Sequence, residues 1–137
     1  MEYLCARIVK WKRKKTTHKN TRIDEFSLQL FDAIYENKFE LSKILIDDGK
    51  VDVNIKKDCG DTPLIATCQQ TTLQNEEEAV KFIHYLWQSG SKFHTSDNLG
   101  KTAMDYAKGN GLMKIVQTLL YIHWNILYDN VCNVGLI

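Results

Sequence analysis

Beyond residue 24 the apolar positions fall at helical spacing in short paired runs. Leu64, Ile65 and Cys68 form one run with Thr67; Phe82, Ile83, Tyr85 and Leu86 form the next, which ends at Gly90. Separations of three and four residues place each run on a single helix face. The arrangement then repeats. Met104 and Ala107 precede a "GNG" break, and Ile115, Val116, Leu119 and Leu120 follow it. A weaker earlier copy has Phe26, Leu30, Ala33 and Ile34, then Leu41, Ile44 and Leu45, closing at Gly49. The pattern predicts three pairs of helices joined by short turns.

Cap chemistry sets the expected boundaries. Thr62 before Pro63 offers a hydroxyl acceptor at an N-cap and a residue of fixed φ at the first helical position. Thr102 with Asp105, and Asn75 with Glu78, have capping-box spacing, and Glu76, Glu77 and Glu78 complement a helix N-terminus. Asp24 is expected to cap the first helix of the earliest copy. Gly49 and Gly90 stand where a helix ends in a left-handed residue.

"GDTPLIATC" from Gly60 to Cys68 returns in outline as "GKTAMDYAK" from Gly100 to Lys108, and "GKVDVN" spans Gly49 to Asn54. With Gly111, Ile115, Val116, Leu119 and Leu120, these segments resemble the ankyrin repeat, whose pattern runs G-x-TPLHxAA, a turn, G-x-x-x-VV-x-x-LL and GADVN. The resemblance covers roughly residues 24 to 120. It implies an all-α, ankyrin-like solenoid of about three helix-turn-helix repeats with short hairpin connections. Such a stack implies a noncatalytic protein-protein interaction module, a scaffold or adaptor, with its partner on the concave surface of hairpin tips and first helices. By register that surface is Lys56, Asp58, Cys59, Asp61, Gln69 and Gln70 in the middle copy, and Thr95, Asp97, Asn98, Lys101, Tyr106 and Asn110 in the last.

Two departures matter. The motif histidine is replaced by Phe31, Ile65 and Asp105, so the hydrogen bonds it makes between repeats are absent or replaced. Gly60 and Gly100 lie 40 residues apart, about seven more than the repeat length, and the surplus falls in "QQTTLQNEEE". That insertion is expected to form a loop at the helix ends distal to the hairpins. After Leu120, "YIHWNILYDNVCNVGLI" contains no glycine stop before Gly135. The last helix is expected either to run on and cover the open end, or to leave an apolar tail exposed for dimerisation.

Charge divides the chain. Residues 1–23 hold eight basic side chains and one acid, while the other 114 hold 10 basic and 16 acidic groups. The expected organisation is therefore a flexible basic arm over 1–23 and a repeat domain over 24–137, with a helical cap at its C-terminal end. Lys12, Arg13, Lys14 and Lys15 in "KWKRKK" suit an import signal or a nucleic-acid contact. A nucleic-acid- or anionic-surface-binding protein tethered by that arm is the rival function. Leu4, Ile8 and Trp11 could instead pack on the first repeat.

The remaining chemistry is sparse. With 137 residues and 44% hydrophobic side chains the chain suits one domain. It has neither an 18-residue apolar run nor the apolar core of a secretion signal, so a monomer in the cytoplasm or nucleus is expected. Cys5, Cys59, Cys68 and Cys132 are scattered and expected to be reduced, and the four histidines lack zinc-finger spacing. No phosphate loop or nucleophile motif suggests an enzyme, a metal or a cofactor.

Overall fold

A computed structural model of the chain describes residues 21–133. The described residues form three helix pairs: α1 (Thr21–Tyr35) with α2 (Phe39–Asp47), α3 (Pro63–Gln70) with α4 (Glu76–Gln88), and α5 (Ala103–Gly109) with α6 (Met113–Asn133). The first helices α1, α3 and α5 stack side by side in one layer, and the second helices α2, α4 and α6 stack in another.

The core runs between the layers. Leu30, Phe31 and Ile34 of α1 meet Leu64 and Ile65 of α3, and Phe82, Ile83 and Leu86 of α4 lie behind them, all fully buried. Phe39 of α2 stacks on Phe82 with ring centroids 4.8 Å apart. Ile115 and Ile122 of α6 close the same cluster.

Local chemistry explains most helix ends. Thr62 Oγ1 accepts from the Ile65 amide at 3.2 Å, with Pro63 at the first helical position. At α5 the capping box closes, since the Thr102 amide donates to Asp105 Oδ2 at 2.9 Å and the Asp105 amide donates to Thr102 Oγ1. Both second helices that precede a hairpin end as the glycines predict. The amides of Lys50 and Ser91 reach back to the carbonyls of Leu45 and Leu86 across Gly49 and Gly90. The turn from α1 to α2 uses Asn37 at φ 61°, where the turn from α5 to α6 uses Gly111 at φ 69°.

Several expectations are corrected. Helix α1 is already helical at Thr21, so Asp24 lies within it and not at its N-cap position. Asn75 makes no cap to α4; its side chain instead accepts from the Thr72 amide at 2.8 Å and closes a one-turn 3-10 helix, Leu73–Asn75. The insertion sits at the predicted end of the pair. It consists of the end of α3, the link Thr71 and Thr72, that 3-10 turn and the first turn of α4 rather than an irregular loop. Leu41, Ile44 and Leu120 are exposed, because α2 turns Phe39, Ser42 and Leu45 inward and α6 turns Ile115, Leu119 and Ile122 inward. After Leu120 the last helix does run on, as far as Asn133.

Candidate functional site

The two hairpin fingers are built from one turn used twice. The Lys57 amide donates to the Asp61 carbonyl at 3.0 Å and the Gly60 amide to the Lys57 carbonyl at 2.8 Å. Forty residues later Asp97 pairs with Lys101 at 2.9 Å and Gly100 with Asp97 at 2.9 Å. Gly60 is required twice over. Its φ is +89°, and a Cβ there would stand 2.7 Å from the Asn98 amide nitrogen.

That close approach is the stacking contact between fingers. The Asn98 amide donates to the Cys59 carbonyl at 3.1 Å, and Asn98 Nδ2 donates to the Asp58 carbonyl at 2.8 Å. Asn54 makes the matching contact from the first repeat to the second, accepting from the Lys92 amide at 2.8 Å and donating to the Gly90 carbonyl at 3.1 Å. His94, forty residues after Asn54, places its Nε2 3.2 Å from Nδ1 of His123 on α6. Lys57 anchors the first of the two fingers to α1, where its Nζ donates to the Tyr35 hydroxyl at 2.9 Å and lies over the Phe31 and Tyr35 rings.

Behind the fingers is a buried polar cluster. Asp97 Oδ1 accepts from the amides of Leu99 at 2.9 Å and Lys101 at 3.0 Å, and Oδ2 accepts a short hydrogen bond from the Tyr106 hydroxyl. Burial pushes the Asp97 carboxyl up, but the Tyr106, Lys101 and Leu99 donors together hold it below its ordinary range. Burial and the Asp97 carboxylate raise the Tyr106 hydroxyl. Both groups therefore keep one protonation state near neutrality and brace the turn instead of moving protons. Gln69 Nε2 reaches Asp61 Oδ1 at 3.4 Å from α3. Cys68 is buried, and burial raises its thiol to about 12, so it stays protonated at neutral pH.

These contacts sort the twelve residues assigned to the concave surface. Asp61, Asp97 and Tyr106 are buried, at 2%, 8% and 8% exposure, because their polar atoms complete the finger bases; they are removed from the set that a partner could touch. Asn98 and Asn110 are exposed but serve as braces, the second donating to the Cys68 carbonyl at 3.1 Å. Lys56, Asp58 and Lys101 are exposed, while Gln69, Gln70 and Thr95 are half-buried. Cys59, half-exposed on the finger, is disulfide-bonded, which overturns the expectation of a reduced thiol there. Lys12, Arg13, Lys14 and Lys15 lie outside the described residues.

Sequence reasoning missed Leu99, 62% exposed at the tip of the last finger. Its signal is an apolar residue in the turn "DNLG", where packing gives it nothing to cover. A groove of 720 Å³ between α4 and α6, lined by Glu77, Val80, Lys81, His84, Lys114, Gln117, Thr118 and Tyr121, was also missed; it is assembled from residues some 35 positions apart.

Among the described residues no group of three or more His, Cys, Asp or Glu side chains is placed to hold a metal ion, and no helix is long and apolar enough to cross a membrane. A family model described as Ankyrin repeats (3 copies) matches residues 30–129. A search of curated proteins finds no match to the chain.

Proposed function

The chain belongs to the ankyrin-repeat family, whose stacked units are protein-protein interaction modules, and we propose that it acts as a noncatalytic adaptor whose partner docks on the finger surface. One observation carries the reading. The fingers at 57–61 and 97–101 repeat the same hydrogen-bonded turn and are locked together by Asn98, so their tips form one preorganised surface. Lys56, Asp58 and Lys101 give that surface both signs of charge, and Leu99 gives it an apolar point. Such a mixture suits a folded protein face carrying complementary charges around a small hydrophobic recess. A uniformly charged polymer would suit it less.

The test is quantitative capture from cells with the full chain, the variant Asp58→Lys with Lys101→Glu, and the control Glu78→Lys with Lys81→Glu on the opposite layer. A partner held by the parent and the control but lost by the finger variant supports the reading. A partner retained by the finger variant refutes it. Binding that falls steeply with salt and vanishes without residues 1–23 would favour the nucleic-acid alternative.

A further inference from the structure

Helix α6 is apolar on both sides. Ile115, Val116, Leu119 and Ile122 are buried against α4 and α5, yet Leu120, Tyr121, Trp124, Leu127, Tyr128 and Val131 are between 40% and 69% exposed. At 100° per residue the second set is centred opposite the first. A helix hydrophobic all round is one that is covered all round. Apart from the Trp87 ring, which meets Tyr121 edge-on, the described residues cover only one side.

We propose that the outward face of α6 is the seam at which two copies of this chain pair antiparallel. The spacing of Leu120, Trp124, Leu127 and Val131 is four, three and four, the separation at which helix seams interlock. The seam is also nearly free of charge. From Ile115 to Asn133 the only acidic or basic side chain besides His123 is Asp129, and it falls on the flank away from the stripe. A second copy can therefore approach without setting like charges against one another. A charged partner, by contrast, would find nothing to pair with. The six exposed side chains offer on the order of 600 Å² per copy, near the ~800 Å² per partner of a standard interface. A face of that size lies at the upper end of the largest apolar patch that a typical monomer leaves in water.

Direction follows from self-complementarity. In a two-fold pair residue i meets j and j meets i. Reversing the stripe about the point midway between Asn125 and Ile126 sets Leu120 against Val131 and Trp124 against Leu127 of the other copy, a large side chain against a smaller one at the centre. A parallel pair would set Trp124 against Trp124 and bring the two Asp129 carboxylates to the same level. This seam lies on the layer of second helices, away from the fingers; the monomer expected from the sequence is the outcome that would overturn it.

Sedimentation of the full chain between about 1 and 200 μM, on material that a non-reducing gel shows to be free of intermolecular disulfides, tests the seam. A reversible dimer is expected, with Trp124→Glu and Leu127→Lys each weakening it at least tenfold while leaving the far-ultraviolet circular dichroism unchanged. Mixing the two variants tests direction, because in the antiparallel pair the introduced acid and base face each other and the other central contact stays native. Recovery of a heterodimer on mixing supports the register. A parent that is monomeric throughout overturns the proposal, as does a dimer that survives both substitutions. Failure of the mixture to recover overturns the antiparallel register.

Discussion

The carboxylate of Glu76 caps a helix that belongs to the next repeat: its Oε2 accepts from the backbone amide of Lys114 at 2.7 Å and from that of Ile115 at 3.1 Å. Glu76 opens α4 and is 5% exposed, while Lys114 and Ile115 lie in the first turn of α6. A buried anion at a helix N-terminus satisfies two orphan donors and meets the positive end of the dipole. The contact also supplies part of the bonding between repeats that the missing motif histidines would have made.

Glu76→Ala should therefore cost about 2 to 3 kcal/mol, the range for charge-assisted bonds lost from a buried site. Glu77→Ala should leave stability close to that of the parent, although its Oε1 lies 2.8 Å from Lys114 Nζ, because that ion pair is exposed and screened. Urea unfolding of the two variants checks the contrast, and equal losses would refute the assignment.

Leu86 is fully buried and Leu120 is 45% exposed, although both are leucines within a second helix. Leu86→Ala should cost about 2 to 5 kcal/mol through the cavity it leaves. Leu120→Ala should leave the stability of a dilute sample within about 0.5 kcal/mol of the parent. Thermal unfolding at low micromolar concentration measures both without contribution from self-association.

Gly60→Ala and Gly90→Ala separate backbone strain from steric conflict. Both residues have positive φ, +89° and +96°, but a Cβ at Gly90 meets nothing within 4 Å whereas one at Gly60 meets the Asn98 amide. Gly90→Ala should cost about 1 to 2 kcal/mol, the left-handed penalty alone. Gly60→Ala should cost more, and hydrogen exchange at the Asn98 amide should rise in that variant only. Equal stability losses would show that the fingers can part without penalty.

Acid should loosen the last finger. The folded Asp97 carboxyl titrates below its unfolded value, so its stabilising share is present above the unfolded pKa near 4 and is lost as pH falls through the lower folded value. Tyr106→Phe removes one of the donors that depress it. That variant should lose about 1 kcal/mol at neutral pH and show a shallower fall in melting temperature below pH 4 than the parent. Parallel melting profiles would refute the linkage.

The basic segment is tested in cells. If "KWKRKK" acts as an import signal, replacing Lys12, Arg13, Lys14 and Lys15 by Ala should shift the protein toward the cytoplasm without altering capture by the fingers. Identical distributions of variant and parent would exclude that role.

What the sequence determined by itself is local. Thr62 with Pro63, and Thr102 with Asp105, place helix starts because each cap is closed within four residues of chain, and Gly49 and Gly90 place helix ends for the same reason. The apolar spacing of Phe82, Ile83 and Leu86 identified a buried face because a helix turns at a known rate. What only the tertiary structure decided is where a polar side chain finds its partner. Asn75 and Glu76 stand side by side; Asn75 bonds within its own turn, but Glu76 serves a helix 38 residues away. Asp97 and Tyr106 read as surface residues of a binding face, and folding made them its foundation by bringing carboxylate and hydroxyl together under the turn. Likewise the spacing of α6 gives two apolar faces with equal claim to the core, and only the packing of α4 and α5 decides which one is buried and which is left facing solvent.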